Sequence, residues 1–390
     1  MNQAEETRVS SADIPAKLYN GAFILAVIGG VGTVAGILLG IRDVWYMLVV
    51  NFVFWVGLAQ GMFIWSTMAR AAQATWAAGF NRIGQSAAAF LPVSVILFLI
   101  IWVGRDYWLV WTWEHVPEKE KWLNEPFFFW RNLIGLILMS VLCLWYLASY
   151  RRLESCAGTD QEERAQGFLN KFSIWIILAY VTVHTLLAFD VIMSLHPYWY
   201  STLFGAYYFV GSQYVALAAF ILVAAHLRKP LGLEKFFSRN RFSDMGNLMM
   251  GFCVLTTGFM FAQWLTVWYG NIPEEAIFVH PRMYMQPWES VGWIIFATAF
   301  VLPFLLLQFG QMKNNIRPLC YIAALVLFGM FVERWMLVVP SLSPERLAGL
   351  FNPLAWCPLL LCGGILVMTV TASLRKSPAV SSLDLALKLE

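Results

Sequence analysis

Ten stretches of about twenty apolar residues, each almost free of charge, decide what this chain can fold into. They run Gly21–Gly40, Val44–Ala69, Ile83–Gly104, Phe127–Tyr150, Phe172–Met193, Ser201–Ala225, Met245–Trp268, Val291–Phe309, Leu319–Val339 and Leu350–Thr371. A helix of about 20 such residues crosses the hydrocarbon core of a bilayer. Only helices and closed barrels satisfy every backbone polar group there. Charged residues make up 13% of the 390-residue chain, against about 25% in soluble domains. The expected fold is all-α: a polytopic membrane protein with about ten transmembrane helices. Its basic residues are spread over the loops, so the net charge of +3 offers no surface for nucleic acid.

Charge also orients the spans. Eighteen Lys and Arg fall on one side and six on the other, with Arg131 and Arg334 inside spans. The crowded side is expected to be cytoplasmic and to hold both termini. That divides the chain into a tail 1–19, a transmembrane domain 20–374 and a tail 375–390. No small-residue cleavage site precedes the first span, which is expected to stay attached. The opposite, outer side carries two long aromatic-rich loops, TWEHVPEKEKWLNEP and YGNIPEEAIFVHPRMYMQP, together with His115, His196 and His280. Loops of this kind are expected to dock an extramembrane partner. Gly32, Gly36 and Gly40 form a small-residue seam on the first span, while Pro92 and Pro303 are expected to kink theirs.

Charges inside a bilayer are costly and mark pairs or water paths. Here they are Arg131, Asp190, Glu333 and Arg334, with His184 well inside a span and Glu289 at a span start. Arg131 and both acids are expected in the outer half, where Arg131 can pair with either. Glu333 and Arg334 are neighbours in sequence and point apart on a helix, so each is expected to find a partner elsewhere. His184 and Asp190, six residues apart, lie about 120° from each other around the axis and do not stack as a relay. Two readings stay open: a structural ion-pair cluster, or an outer half-channel for protons that includes His196. The inner half offers Gln60, Gln85, Ser86, Thr257, Thr298 and Gln308, which order water but do not titrate. One histidine deep in a span does not ligate a pair of haems, and six scattered cysteines show no cluster spacing. The chain is expected to hold no metal or haem of its own.

FDVIMSLHPYWYSTLFG, residues 189–205, resembles a pattern in one membrane subunit of alternative complex III. FAQWLTVWYGNIPEEAIF, residues 261–278, resembles a second motif of the same subunit. That subunit is similar to the NrfD-like, polysulfide-reductase-type membrane proteins. The resemblance implies two four-helix bundles with flanking helices, no bound haem or cluster, and membership of a quinol-oxidising complex in a bacterial cytoplasmic membrane. Its implied partners are a second NrfD-like membrane subunit, a periplasmic iron–sulfur subunit and multihaem cytochrome c subunits. The residues it marks are Asp190, Ser194, Pro197, Trp199, Ser201, Thr202 and Gly205, then Gln263, Trp268, Tyr269, Asn271, Pro273, Glu274 and Glu275. His196 stands where relatives commonly have an acid. Two alternatives remain: the quinone-binding anchor of a molybdopterin- or polysulfide-type oxidoreductase, and a secondary transporter.

Overall fold

A computed structural model of the chain describes residues 14–74, 77, 80–114, 116–156, 158–230, 234 and 237–376. His115 and most of both tails lie outside them. The described residues are helical with no strand, and ten helices are long and apolar enough to cross a membrane. They are α1 (Ala16–Leu38), α2 (Arg42–Ala71), α3 (Asn81–Val103), α4 (Glu125–Ser155), α5 (Glu162–Leu195), α6 (Leu203–Leu227), α7 (Arg239–Gly270), α8 (Trp288–Gln308), α9 (Ile316–Leu342) and α10 (Pro353–Arg375).

Helices α2 to α5 pack as one four-helix bundle and α6 to α9 as a second, joined where α2 meets α6 and α9. Burial follows from that plan. The most apolar stretch of α2 is 94% buried and that of α6 78%, while α1 and α7 bury 22% and 17%. The outer helices therefore turn most of their apolar surface to lipid. Helices α1 and α10 pair on the flank. Their seam is Gly29 and Gly32 rather than the expected Gly32, Gly36 and Gly40, and Gly36 instead lets Val44 of α2 approach. A Cβ on Gly29 would stand 2.3 Å from the Leu361 amide nitrogen, and one on Gly32 would stand 2.2 Å from Cys357 Sγ. Gly40 touches nothing; it ends the helix with φ +69°, a conformation that suits glycine.

Three spans depart from regular α-helix in their interior or toward their end, and two of these departures sit at prolines. A 3₁₀ turn, Ala87–Phe90, precedes Pro92, and a π turn, Phe296–Val301, precedes Pro303. The third has no proline: α5 passes through a π turn, Ala188–Ile192, that contains Asp190. Single π turns concentrate at functional sites. In α9, Pro340 has no N–H to offer the Met336 carbonyl. Arg282, on the short outer helix Pro273–Tyr284, supplies that bond instead, from Nε at 3.0 Å.

Candidate functional site

Asp190 is fully buried near the outer end of α5. Arg131 on α4 grips it with two bonds, Nε to Oδ2 at 2.8 Å and Nη2 to Oδ1 at 2.7 Å. Asn132 Nδ2 donates to Oδ2 at 2.8 Å and Trp122 Nε1 to Oδ1 at 3.2 Å. The Arg131 guanidinium itself sits in an aromatic corner, 3.9 Å from the Trp122 ring centre and 4.3 Å from that of Phe127. Four donors converge on one carboxylate, which is the full compensation that a buried charge requires. The arrangement clamps α4, α5 and the outer loop together. Ser194 closes the π turn by donating from Oγ to the Asp190 carbonyl.

Glu333 and Arg334 correct the expectation that neighbours on a helix do not meet. Arg334 Nη1 lies 3.0 Å from Glu333 Oε2 and 3.2 Å from Oε1. Both side chains are long enough to bend round the helix toward α6. There Tyr207 donates from its hydroxyl to Glu333 Oε1. Arg334 Nη2 reaches the Tyr208 carbonyl at 3.2 Å and Ser212 Oγ at 3.4 Å, while its guanidinium lies 4.5 Å from the Tyr208 ring centre. Helix α9 runs to Leu342, so Glu333 stands about 14 Å below its outer end at 1.5 Å per residue. That is deeper than expected. No bond joins this pair to the Arg131–Asp190 pair among the described residues, so the charges form two sites and not one cluster.

His184 extends the second site across the molecule. Its ring lies against Tyr208, centres 5.6 Å apart, and against Tyr180 at 4.1 Å. Its Nε2 is 3.0 Å from Gln60 Oε1 on α2, and its buried Nδ1 has no protein partner among the described residues. The result is a mid-membrane polar belt, Gln60–His184–Tyr208–Arg334–Glu333–Tyr207, running from the first bundle to the second. Gln85 adds a buried amide with both ends unbonded. Ser86 and Thr298 bond back to their own helices, and Gln308 is exposed at the inner end of α8. Glu289 is taken up locally by Gln286 at 3.1 Å, on the exposed start of α8.

The two motifs meet in space. Ser201, in the turn before α6, donates from its hydroxyl to Gln263 Oε1 on α7. Trp199 is buried and stacks on Phe278 with ring centres 4.0 Å apart. Lys119 reaches from the other outer loop to the carbonyls of Pro197 and Trp199, and burial lowers its pKa. Gly205 lets α5 approach, because a Cβ there would stand 2.5 Å from Thr185 Cγ2. Thr202 sits exposed in the same turn as the residue preceding α6. The rest of the second motif stops one helix and starts another. Asn271 takes φ 46° at the end of α7, Pro273 opens the short helix, and Glu274 and Glu275 occupy its first turn, where the helix dipole favours acids. Trp268 and Tyr269 are exposed.

An apolar slot of about 70 Å³ opens beneath this region, lined by Trp199, Phe204, Tyr207, Gln263, Trp264 and Arg282 among others. A second void of about 30 Å³ lies deeper, against Tyr207, Thr256, Thr257 and Glu333. Tyr207 faces both. Sequence reasoning passes over Arg282 as one more loop cation. It is buried, bonds the carbonyls of Phe278, Met336 and Leu337 and the Ser341 hydroxyl, and burial lowers its pKa to about 9. The signal available was Pro340, which orphans the carbonyl four residues before it. His196 stands edge-on to Phe278 at 6.0 Å. Burial, reinforced by Arg282, lowers its pKa to about 4.

Comparison with known proteins finds a distant relative. Over 339 residues the chain is 24% identical to the C subunit of selenate reductase from Mesobacillus selenatarsenatis, covering 78% of this chain and 76% of that protein. No protein-family profile matches the chain.

Proposed function

We propose that this chain is a membrane subunit of a multisubunit quinol-linked oxidoreductase in a bacterial cytoplasmic membrane, of alternative complex III type. The observation that carries the reading is the Tyr207–Glu333–Arg334 group, set between an outer slot and an inner void and roofed by the two resemblance-bearing motifs. Quinol releases protons with its electrons, and this chain's part is to take up the protons. An enclosed small-molecule site measures roughly 300–1,000 Å³, so a 70 Å³ slot is too small for a quinone ring, and Tyr207, Gln263 and Arg282 on its wall offer a water the polar partners it needs. The quinol therefore meets this chain at a face shared with a second NrfD-like membrane subunit. Slot water passes a proton to the Tyr207 hydroxyl, which hands it along its hydrogen bond to Glu333 Oε1, while Arg334 keeps the carboxylate ready to accept. Electrons leave through iron–sulfur and multihaem cytochrome c partners docked on the outer loops, where Trp268 and Tyr269 stand exposed.

The relative favours a second reading, the quinone-linked membrane anchor of a molybdopterin- or polysulfide-type reductase, because it is itself part of a reductase. Gentle native purification with haem and iron spectra and mass identification separates the two. Co-purifying multihaem cytochrome c supports the alternative complex III reading. A molybdenum protein without cytochrome c supports the second. A colourless chain without partners overturns both and leaves a secondary transporter.

A further inference from the structure

A large apolar recess lies far from the outer slot. It is a groove of about 460 Å³ between α10 and the α2, α6 and α9 surfaces, with residues such as Leu58, Val223, Phe331 and Val367 on its walls. His226 and Thr371 are the polar residues of its lining, and Thr371 already donates to the Val367 carbonyl at 2.6 Å. Water has no reason to fill such a space. A dry apolar cavity of about 150 Å³ takes up benzene, and this groove is roughly three times larger. Along α10 it runs from Trp356 to Leu374, about 27 Å at 1.5 Å per residue. That is most of the roughly 30 Å hydrocarbon core of a bilayer, so the inner half of the groove is long enough for an acyl chain of one leaflet.

One end of the groove is not apolar. At the inner surface it shares Leu222 and His226 with a niche of about 540 Å³ that presents Arg228, Lys229, Arg317 and Tyr321. None of the three cations makes an ion pair among the described residues. The Arg228 Nε is buried there without a hydrogen-bond partner among the described residues. An apolar trough that ends in a cluster of uncompensated cations at the headgroup level matches one kind of molecule. Basic pockets between transmembrane helices on the cytoplasmic side bind anionic lipid headgroups.

We propose that this groove is a binding site for an anionic glycerophospholipid, with an acyl chain along α10 and the phosphate held by Arg228, Lys229 and Arg317. The lipid would fill the gap between the α1–α10 pair and the two bundles. The proposal does not depend on the quinol reading.

The test uses the protein in its native assembly, purified in mild detergent, with extraction and mass identification of retained lipid. Wild type is expected to keep phosphatidylglycerol or cardiolipin in about one-to-one ratio after neutral lipid has washed away. Each basic side chain near a membrane surface is worth about fivefold in affinity for anionic lipid. R228Q/K229Q/R317Q should therefore lose the anionic lipid by a large factor while remaining assembled. Adding phosphatidylglycerol to delipidated protein should raise the thermal unfolding midpoint of wild type and not that of the triple variant. V223W, which fills the trough and leaves the cations in place, should also lower retention. Equal retention of neutral and anionic lipid, unchanged retention in the triple variant, or an isoprenoid quinone in the groove would each overturn the proposal.

Discussion

Arg131 holds Asp190 through a two-point contact, Nε on Oδ2 at 2.8 Å and Nη2 on Oδ1 at 2.7 Å, inside the bilayer-spanning part of the bundle. With Asn132 and Trp122 on the same carboxylate, Asp190 has its lone pairs engaged and works as a clamp. Asp190→Asn leaves a buried guanidinium without its counter-charge, which costs about 3–5 kcal/mol. Thermal unfolding of the purified assembly should show a clear drop in midpoint. The double change R131M/D190L should recover much of it, since an apolar pair of similar volume removes both charges together. Wild-type stability in D190N would refute the clamp.

Arg282 makes a second testable knot. Its four hydrogen bonds include the one that replaces the N–H missing at Pro340. Arg282→Met should destabilise the outer end of α9 by roughly 2–4 kcal/mol, because several buried carbonyls lose a charged donor. Hydrogen exchange localises the effect: protection should fall at the outer end of α9 and on the helix Pro273–Tyr284, and hold in α2. Uniform loss of protection would contradict this.

His196 gives the outer turn a pH dependence with a definite sign. Its pKa is about 4 in the folded protein and about 6.5 when unfolded. Between those values the unfolded chain binds the extra proton, so stability is full above about pH 6.5 and falls as pH drops toward 4. Thermal unfolding midpoints measured from pH 7.5 to 4 should decline less steeply in His196→Gln than in wild type. Superimposable curves would show that the histidine titrates alike in the folded and unfolded chain and would contradict this account.

Much of the architecture was legible in the sequence because the bilayer leaves so few options. Long apolar runs set the ten helices. The pairing of Arg131 with one of two acids followed from depth, but which acid did not, since depth says nothing about lateral neighbours. Glu333 and Arg334 are misjudged when side chains are treated as short spokes; their flexible stems bring the charges together. The π turn at Asp190 left no proline to announce it. The Gly29 contact is hidden because the glycine spacing at 32, 36 and 40 looks more regular, while the seam is set by where Leu361 and Cys357 fall on α10. The meeting of Ser201 with Gln263 is a fact of tertiary structure that neither motif states alone.

The most direct measurement compares quinol turnover in assemblies carrying Glu333→Gln and Asp190→Asn, each normalised to the amount of intact complex. Gln keeps the size of Glu333 and the contact with Tyr207 but holds no transferable proton. Removing a general acid–base group costs on the order of 10²–10⁴ in rate, so E333Q should turn over at least roughly a hundredfold more slowly per intact complex, while its yield also falls because the buried Arg334 loses its counter-charge. D190N should yield less complex with near-normal turnover per complex. Wild-type turnover in E333Q would contradict the proton-handling role of Glu333 and Tyr207.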